Sequence, residues 1–258
     1  MGKSFFYHVR NSLKSLFRSR PRLEPREFPY VIQRQLLDQI AQFEAVVPDD
    51  PLRIARLCGE EEWWGKIINF LTPDCCFWDI GSFTGLLTVY AALKCSRGRV
   101  VSIEPDPNFF KQIRRNVDLN NLRNVVIYNV GLSDEVANIR INTSGVEGWA
   151  PSFFSKDLKN WIDVPVTTLD ILCEEHPDLT PSILKIDVEG FEYKVIQGGE
   201  KTLQSQKLRA IYLELHPLFL YDNNQPLGKL LWKIENAGFR LKEMRPRKNE
   251  THVLAIRE

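Results

Sequence analysis

The sequence predicts a doubly wound α/β domain, in which helices cover both faces of a mostly parallel β-sheet. Two observations indicate this fold. From residue 77 to residue 130, short apolar runs alternate with segments of helical periodicity, which is typical of parallel strands joined by right-handed crossovers. Near the end of the chain, a predicted helix over 225–237 is followed by two runs that read as a β-hairpin, so one strand must run against the others.

The alternation predicts each element of the sheet in turn. The first elements are a strand over 77–80, a helix over 83–95, a strand over 99–103, a helix over 107–120 and a strand over 124–130. The later elements are a strand over 183–187, a helix over 190–203, a strand over 210–215 and hairpin strands over 239–244 and 252–256. Because parallel strands share a carboxyl edge, we expect the acidic residues that end them to lie together there.

Length and composition limit the class of protein. A chain of 258 residues with 43% hydrophobic residues can form one catalytic domain with a complete core and an additional segment. A net charge of +1 argues against a nucleic-acid binder. The five cysteines have no metal-type spacing, and their odd number suits a reducing compartment better than a disulfide framework. With no apolar stretch of membrane-span length and no apolar core for a secretory signal, we expect a cytoplasmic protein.

Two segments precede the catalytic domain, which we place at residues 73–258. Residues 1–28 combine basic residues with apolar residues at helical spacing. This amphipathic segment either rests on an anionic membrane surface or packs against its own domain or a twin subunit in a homodimer. Residues 29–72 read as a helical cap, with one helix over 30–47 and a second over 60–70. Trp63 and Trp64 in the second helix either line a ligand pocket or, as we prefer, pack in the core.

Residues 135–182 interrupt the alternation and read as an antiparallel insertion. Residues 137–142 and 164–169 alternate as strands, and a glycine-containing loop over 145–151 lies between them. The insertion is either a mobile lid over a ligand or an ordinary surface excursion.

A glycine turn between the first strand and its helix predicts a nucleoside site. Gly81 and Gly85 remove side chains where the backbone must turn tightly and approach a ligand, and the free N–H groups of the following helix point at that ligand. Glu104, at the tip of the next strand, can accept hydrogen bonds from both hydroxyls of a ribose. Phe83 stands where a dinucleotide-binding turn needs its middle glycine, so a pyrophosphate fits poorly. Asp79 repels phosphate but attracts an ammonium or sulfonium group, which points to S-adenosyl-L-methionine.

The ordered motifs of the chain resemble those of the FkbM-type family of S-adenosylmethionine-dependent methyltransferases. They are Asp79-Ile-Gly-Ser-Phe-Thr-Gly85, Glu104-Pro-Asp-Pro107, Asn116 with Asn120, Gly131-Leu-Ser-Asp134, Thr168-Leu-Asp170, Lys185-Ile-Asp-Val-Glu-Gly-Phe-Glu192 and Glu214-Leu-His216. The resemblance implies a class I methyltransferase (Rossmann-like) fold. It also implies methyl transfer to a hydroxyl of a sugar, glycolipid or other metabolite, so the expected partner is a small-molecule or glycan acceptor.

Nine residues are the predicted cofactor-binding set. They are Asp79, Gly81, Ser82, Thr84, Gly85, Glu104, Pro105, Ser133 and Asp134. Ser133 or Asp134 is expected to reach the exocyclic amine of the adenine. Asp134 has an alternative role as an ordinary turn residue.

Three residues are the predicted catalytic set, namely Asp187, Glu189 and His216. Methyl transfer is an in-line displacement, so the protein must position the acceptor oxygen and remove its proton. Asp187 ends a strand beside the first one and is the first choice for both tasks, unless Lys185 holds it in a purely structural role. His216 is the competing base, because an imidazole titrates near neutral pH. Glu192, at the start of a helix, is explained by the helix dipole alone.

Three alternatives remain open at this stage. Asp187, Glu189, Glu214 and His216 offer oxygen and imidazole ligands for a divalent cation, but no tight spacing demands one, so we predict no metal site. A nicotinamide (NAD)-dependent oxidoreductase is disfavoured by Phe83 and by the terminal hairpin. A non-catalytic adaptor that keeps the fold is disfavoured by the complete set of acids at the strand ends.

Overall fold

The computed structural model describes residues 27–142, 161–217, 220, 227–247 and 250–257. The strands are β1 (Tyr30–Leu36), β2 (Gln39–Ala45), β3 (Cys76–Ile80), β4 (Arg99–Ile103), β5 (Val125–Tyr128), β6 (Gly131–Leu132), β7 (Ala137–Asn142), β8 (Trp161–Thr167), β9 (Ile183–Ile186), β10 (Ala210–Leu215), β11 (Phe239–Pro246) and β12 (Thr251–Arg257). The helices are α1 (Asp50–Arg56), α2 (Glu61–Phe70), α3 (Leu86–Lys94), α4 (Pro107–Leu119), α5 (Leu169–Glu175), α6 (Glu192–Gln197), α7 (Glu200–Gln204) and α8 (Leu227–Asn236).

A seven-stranded sheet forms the centre of the molecule, in the order β11-β12-β10-β9-β3-β4-β5. The neighbours from β10 to β5 are parallel, whereas β12 runs antiparallel to both β10 and β11. The predicted doubly wound sheet with a terminal antiparallel hairpin is therefore confirmed.

The central strands are buried on both faces, as their apolar sequences require. Successive side chains point to opposite faces, so Phe77 lies in one apolar cluster and Trp78 in the other. Helices α2 and α3 cover the first face through residues such as Ile67 and Val89, and α6 covers the second through residues such as Ile196. Both clusters leave the carboxyl edge of the sheet available for polar groups.

The helix predicted over 30–47 is wrong, because this segment is the β-hairpin β1–β2. Its apolar spacing satisfies a strand as well as a helix. Ala41, Phe43 and Ala45 are buried at every second position, as a half-buried strand requires. Phe43 packs against Tyr90 of α3 at a ring-centroid distance of 5.5 Å, and the side chain of Asn116 in α4 accepts a bond from the backbone of β2. These distant contacts override the local preference.

The Pro48-Asp49-Asp50-Pro51 segment follows the hairpin and leads into α1. The buried Asp50 carboxylate accepts bonds from the N–H groups of Val46 and Val47. The predicted second helix is confirmed as α2.

The insertion contributes β7 and β8 to a separate three-stranded sheet in the order β6-β8-β7, with β7 antiparallel to β8 as predicted. Helix α5 was missed, although Thr168 caps it by accepting a bond from the N–H of Ile171. The single helix predicted over 190–203 is divided into α6 and α7 at Gly198 and Gly199. A Cβ at Gly198 would overlap the backbone carbonyl of Ser133, and one at Gly199 would meet the side chain of Leu169 at 2.7 Å.

Some predictions lie outside the described residues. These are the amphipathic segment up to residue 26 and the loop over 145–151. Within the described part of the chain, none of the helices has the length and apolar character needed to cross a bilayer.

Candidate active site

The acidic residues that end the parallel strands meet at one edge of the sheet, as predicted. Asp79 lies on β3, Glu104 follows β4, Asp187 follows β9 and Glu214 lies on β10. The backbone N–H of Asp187 donates to the carbonyl of Ile80 at 3.0 Å, which joins the ends of β9 and β3. This edge is the candidate active site.

Packing within the chain also accounts for the glycine turn. Gly81 has a φ of +78°, and a Cβ there would overlap the backbone carbonyl of Asp187. Gly85 has a φ of +76°, and a Cβ there would meet Ile113 at 3.0 Å. The sequence explained both glycines by the approach of a ligand, but their closest neighbours are the β9 loop and α4. Phe83, also at positive φ, packs against Phe109 with ring centroids 4.4 Å apart.

Glu104 has the geometry expected of a ribose-binding carboxylate. It is 4% exposed, and its two oxygens accept bonds from the N–H groups of Phe83 at 2.8 Å and Asp106 at 2.9 Å. Each carboxylate oxygen can accept a further bond, so both remain able to receive a ligand hydroxyl. Burial raises the pKa of Glu104 to about 8, although the two N–H contacts oppose this effect.

Ser82, Thr84 and Pro105 stabilise the turn and the strand ends in this structure. The Ser82 hydroxyl donates to the Asp79 carbonyl at 2.7 Å and accepts from the N–H of Ile103 at 3.0 Å. Thr84 is buried, and its carbonyl accepts a bond from an asparagine of α4. The Pro105 carbonyl accepts a hydrogen bond from the side chain of Asn129, which follows β5, at 2.9 Å.

Ser133 and Asp134, the predicted adenine contacts, follow β6. Ser133 is buried and donates its hydroxyl to Asp134 at 3.1 Å. Asp134 forms an ion pair with Lys194 at 3.2 Å. A contact with adenine stays a prediction for both residues.

Lys185 is the cation at the centre of the edge. Its Nζ lies 2.8 Å from the carbonyl oxygen of Gly81 and 3.3 Å from both Asp79 Oδ1 and Asp187 Oδ2. Burial lowers the pKa of Lys185, but the carboxylates of Asp187 and Asp79 outweigh it and raise the pKa overall. Asp79 is fully buried and also accepts a bond from Thr88 at 2.6 Å. Its charge is offset only in part by Lys185, which Asp187 shares, so the attraction of the cofactor's positive charge stays a prediction.

His216 lies between carboxylates. Its Nδ1 is 2.8 Å from Glu192 Oε1, and its Nε2 is 3.4 Å from Glu189 Oε2 and 4.0 Å from Glu214 Oε1. Burial lowers the pKa of His216, but contact with Glu192 and the nearby Glu189 and Asp187 raises it to about 10. A protonated imidazole cannot accept a proton, so this arrangement favours the carboxylates over His216 as the proton acceptor.

The side chain of Glu189 is partly exposed, unlike that of Glu192. Burial raises the pKa of Glu189 to about 7, and its backbone has a φ of +50°. Glu192 is fully buried and joins His216 to the N–H of Gly190. Its contact with His216 was missed, because the helix dipole had seemed a sufficient explanation.

A second polar group beside Glu214 was also missed. A small pocket of about 130 Å³ is lined partly by Glu60, Trp63, Arg247 and His252. His252 stacks on Trp63 with ring centroids 4.5 Å apart, and its Nε2 is 3.4 Å from Glu214. Trp63 and Trp64 are both buried, so the preference for core packing is confirmed, although Trp63 also borders this pocket. Only the antiparallel pairing of β12 with β10 brings His252 here, which sequence spacing could not show.

Comparison with known proteins identifies the family. Residues 79–241 match the profile described as Methyltransferase FkbM domain, which covers more than half of the chain. The chain belongs to the FkbM family of methyltransferases. This result confirms the resemblance and the class of enzyme, with S-adenosylmethionine as its cofactor. It does not favour the oxidoreductase or adaptor alternatives.

Individual relatives of this FkbM-family chain include two curated methyltransferases. The hexuronic acid methyltransferase AglP of Haloferax volcanii is 26% identical over 176 residues, which cover 68% of this chain and 70% of that protein. The 2-O-methyltransferase NoeI of Sinorhizobium fredii is 29% identical over 207 residues, which cover 73% of this chain and 82% of that protein.

A crystal structure of the FkbM methyltransferase from Methylobacillus flagellatus is 16% identical, with a TM-score of 0.48. The match covers 72% of this chain and 44% of that one.

Proposed function

We propose that this FkbM-family methyltransferase transfers the methyl group of S-adenosylmethionine to a hydroxyl of a sugar or a similar small glycan. The observation that carries the proposal is the pair of partly exposed carboxylates beside the glycine turn. The side chains of Asp187 and Glu189 are 26% and 27% exposed, whereas Asp79 and Glu192 are fully enclosed. Acids that face the cleft are suited to hold a hydroxyl and to receive its proton.

The arrangement of the edge suggests how the cofactor lies. The ribose binds to Glu104 beside β4, and the methionine part extends over the glycine turn toward β9. The transferred methyl group then faces Asp187, which orients the acceptor hydroxyl. As the acceptor oxygen attacks, the C–O bond forms and the C–S bond breaks, and the hydroxyl proton passes to Asp187 or Glu189.

The names of the two relatives are consistent with this acceptor class. One is called a hexuronic acid methyltransferase and the other a 2-O-methyltransferase. A sugar is rich in hydroxyl groups, which both donate and accept hydrogen bonds. The mixture of carboxylates and basic groups next to Glu214 can bind such a surface.

The proposal is tested by incubating the purified protein with S-adenosylmethionine that carries a deuterated methyl group. The acceptors are neutral sugars, uronic acids, extracted glycolipids and a panel of alcohols and amines. Mass spectrometry should detect the labelled methyl group on a sugar hydroxyl. Labelling only of amines or of non-sugar alcohols would contradict the proposed acceptor class.

A further inference from the structure

Three side chains from two adjacent strand ends meet at the edge of the sheet. Asp187 follows β9, Glu214 lies on β10 and His216 follows it. One ligand atom from each of the three lies within 4.8 Å of the others. A divalent ion binds its ligands at about 2.0–2.5 Å, so ligands on opposite sides of an ion are about 4–5 Å apart. Small side-chain movements would therefore let all three atoms bind one ion.

This part of the edge also has an excess of negative charge. The carboxylates near His216 are those of Asp187, Glu189, Glu192 and Glu214. The basic side chains that face them are Lys185, which Asp79 shares, His216 itself and His252, which lies 3.4 Å from Glu214. Acidic side chains therefore outnumber basic ones around His216, and a divalent cation would offset that excess.

The orientation of His216 is an independent sign of a metal ligand. The fully buried Glu192 accepts from Nδ1 at 2.8 Å, which leaves Nε2 facing Glu189 and Glu214. Histidines that bind metals usually donate their other ring nitrogen to a carboxylate in this way. The second oxygen of Glu192 is buried and has no hydrogen-bond partner among the described residues. An interaction with the helix dipole does not by itself explain why this carboxylate is buried.

We propose that Asp187, Glu214 and His216 bind one divalent cation, and that this cation receives two adjacent hydroxyls of the acceptor. Two carboxylates and one imidazole are a donor set that suits Mn²⁺. The inference rests on the proposed function, because it explains how Asp187 orients a sugar. The sequence alone predicted no metal site, since the three residues come from two separate motifs.

The cation has a clear chemical use in this reaction. A bound ion fixes the positions of two neighbouring hydroxyls and makes the one to be methylated more acidic. The acceptor oxygen then attacks the methyl carbon, the C–O bond forms and the C–S bond breaks. The proton of that hydroxyl passes to the neighbouring carboxylate of Glu189, and neutral S-adenosylhomocysteine leaves.

A second cluster shares Glu214 but already contains a guanidinium. Glu60, Glu214, Glu250 and His252 also offer ligand atoms within 4.8 Å of one another. There, however, the Arg247 guanidinium contacts Glu60 and lies 2.9 Å from Glu250, and His252 lies 3.1 Å from Glu60. A guanidinium thus takes the place that a metal ion would need. We therefore assign the cation to the cluster that contains Asp187.

The test titrates Mn²⁺ into the full-length, chelator-treated protein with S-adenosylhomocysteine bound, and follows free Mn²⁺ by electron paramagnetic resonance. We expect saturable binding of one ion per chain. Glu214→Gln and His216→Asn should each weaken it at least about tenfold, and Glu192→Gln should weaken it about tenfold through the orientation of His216. Glu60→Gln, which alters only the second cluster, should leave it largely unchanged.

The S-adenosylhomocysteine affinity of each variant shows whether the fold is intact. The inference is wrong if Mn²⁺ binding is not saturable, or if it survives in a folded Glu214→Gln or His216→Asn variant. It is also wrong if Glu60→Gln removes binding as completely as His216→Asn, because the ion would then lie in the second cluster. Failure of the unmodified protein to bind S-adenosylhomocysteine would instead reject the proposed function, since Mn²⁺ binding can also be measured without that ligand.

Discussion

We propose that Asp187 combines two roles that the sequence presented as alternatives. One of its oxygens lies 3.3 Å from Lys185, so it belongs to the ion-pair network that joins β3 and β9. Its side chain nevertheless remains partly exposed. A residue held from one side and open on the other is pre-organised to orient a substrate.

Replacing Asp187 tests this double role. We expect Asp187→Ala to lower turnover at least about 100-fold, because acceptor positioning and proton removal are both lost. S-adenosylhomocysteine affinity should stay largely unchanged, as measured by calorimetry. Asp118→Ala, a change at an exposed aspartate of α4, is the matched control and should keep full activity. A fully active Asp187→Ala variant would remove Asp187 from the mechanism.

Glu104 predicts a pH dependence of cofactor binding. Burial raises its pKa to about 8, so much of the free protein carries the protonated acid at neutral pH. Ribose hydroxyls donate to both oxygens and therefore favour the ionised form, which means that binding lowers the pKa. Affinity should thus rise with pH up to about 8, by at most about tenfold per pH unit.

Calorimetry of S-adenosylhomocysteine binding at pH 6 to 8 checks this prediction. Comparison of buffers with different ionisation enthalpies should reveal proton release below pH 8. In Glu104→Gln the affinity should be weaker and this proton release should disappear. An unmodified protein with the same affinity across the range would contradict the assignment of the ribose to Glu104.

Among the elements, the β1–β2 hairpin contributes a packed layer that periodicity alone did not reveal. Its buried face lies against α3 and α4, and the side chain of Asn120 bonds to both backbone groups of Gln42. These contacts join the hairpin to the same helices that follow the glycine turn and Glu104. The hairpin therefore supports the cofactor side of the site from outside the sheet.

Truncation of Phe43 measures that support. We expect Phe43→Ala to lower the free energy of unfolding by about 3–5 kcal/mol, because the ring is fully buried against α3. Gln42→Ala, at the exposed neighbouring position, should change it by less than about 0.5 kcal/mol. Urea denaturation of both variants provides the measurement. Equal effects of the two changes would show that the hairpin face is not packed as described.

At the scale of the whole molecule, we propose that the N-terminal segment takes no part in cofactor binding. The contacts described at the carboxyl edge involve residues from Glu60 onward. We therefore expect a protein that lacks residues 1–26 to bind S-adenosylhomocysteine with unchanged affinity. Of the two interpretations of the segment, we prefer packing on protein, so flotation of the truncated protein with anionic vesicles should match that of the full chain. Vesicle binding lost on deletion would instead support the membrane interpretation.

The parallel core was predictable because each strand carries its own signal. Val100 to Ile103 is an apolar run that ends at an acid, and its place in the sheet follows from the crossover rule. Phe43 gave no such signal, since its spacing suits helix and strand alike and only contact with Tyr90 decides between them. In the site, Asp187 and Glu104 were predicted from strand ends. The His216–Glu192 contact and the group around His252 depend on side-chain direction and strand pairing, which a linear motif does not contain.

The tight packing of Gly81 on the carbonyl of Asp187 has a thermodynamic consequence. The loop that we propose to receive the methyl donor and the loop that we propose to present the acceptor share this contact, with no side chain between them. Movement of either loop must displace the other. The two substrates should therefore influence each other's affinity by the same factor, so a saturating donor analogue should change acceptor affinity as much as the acceptor changes that of the analogue.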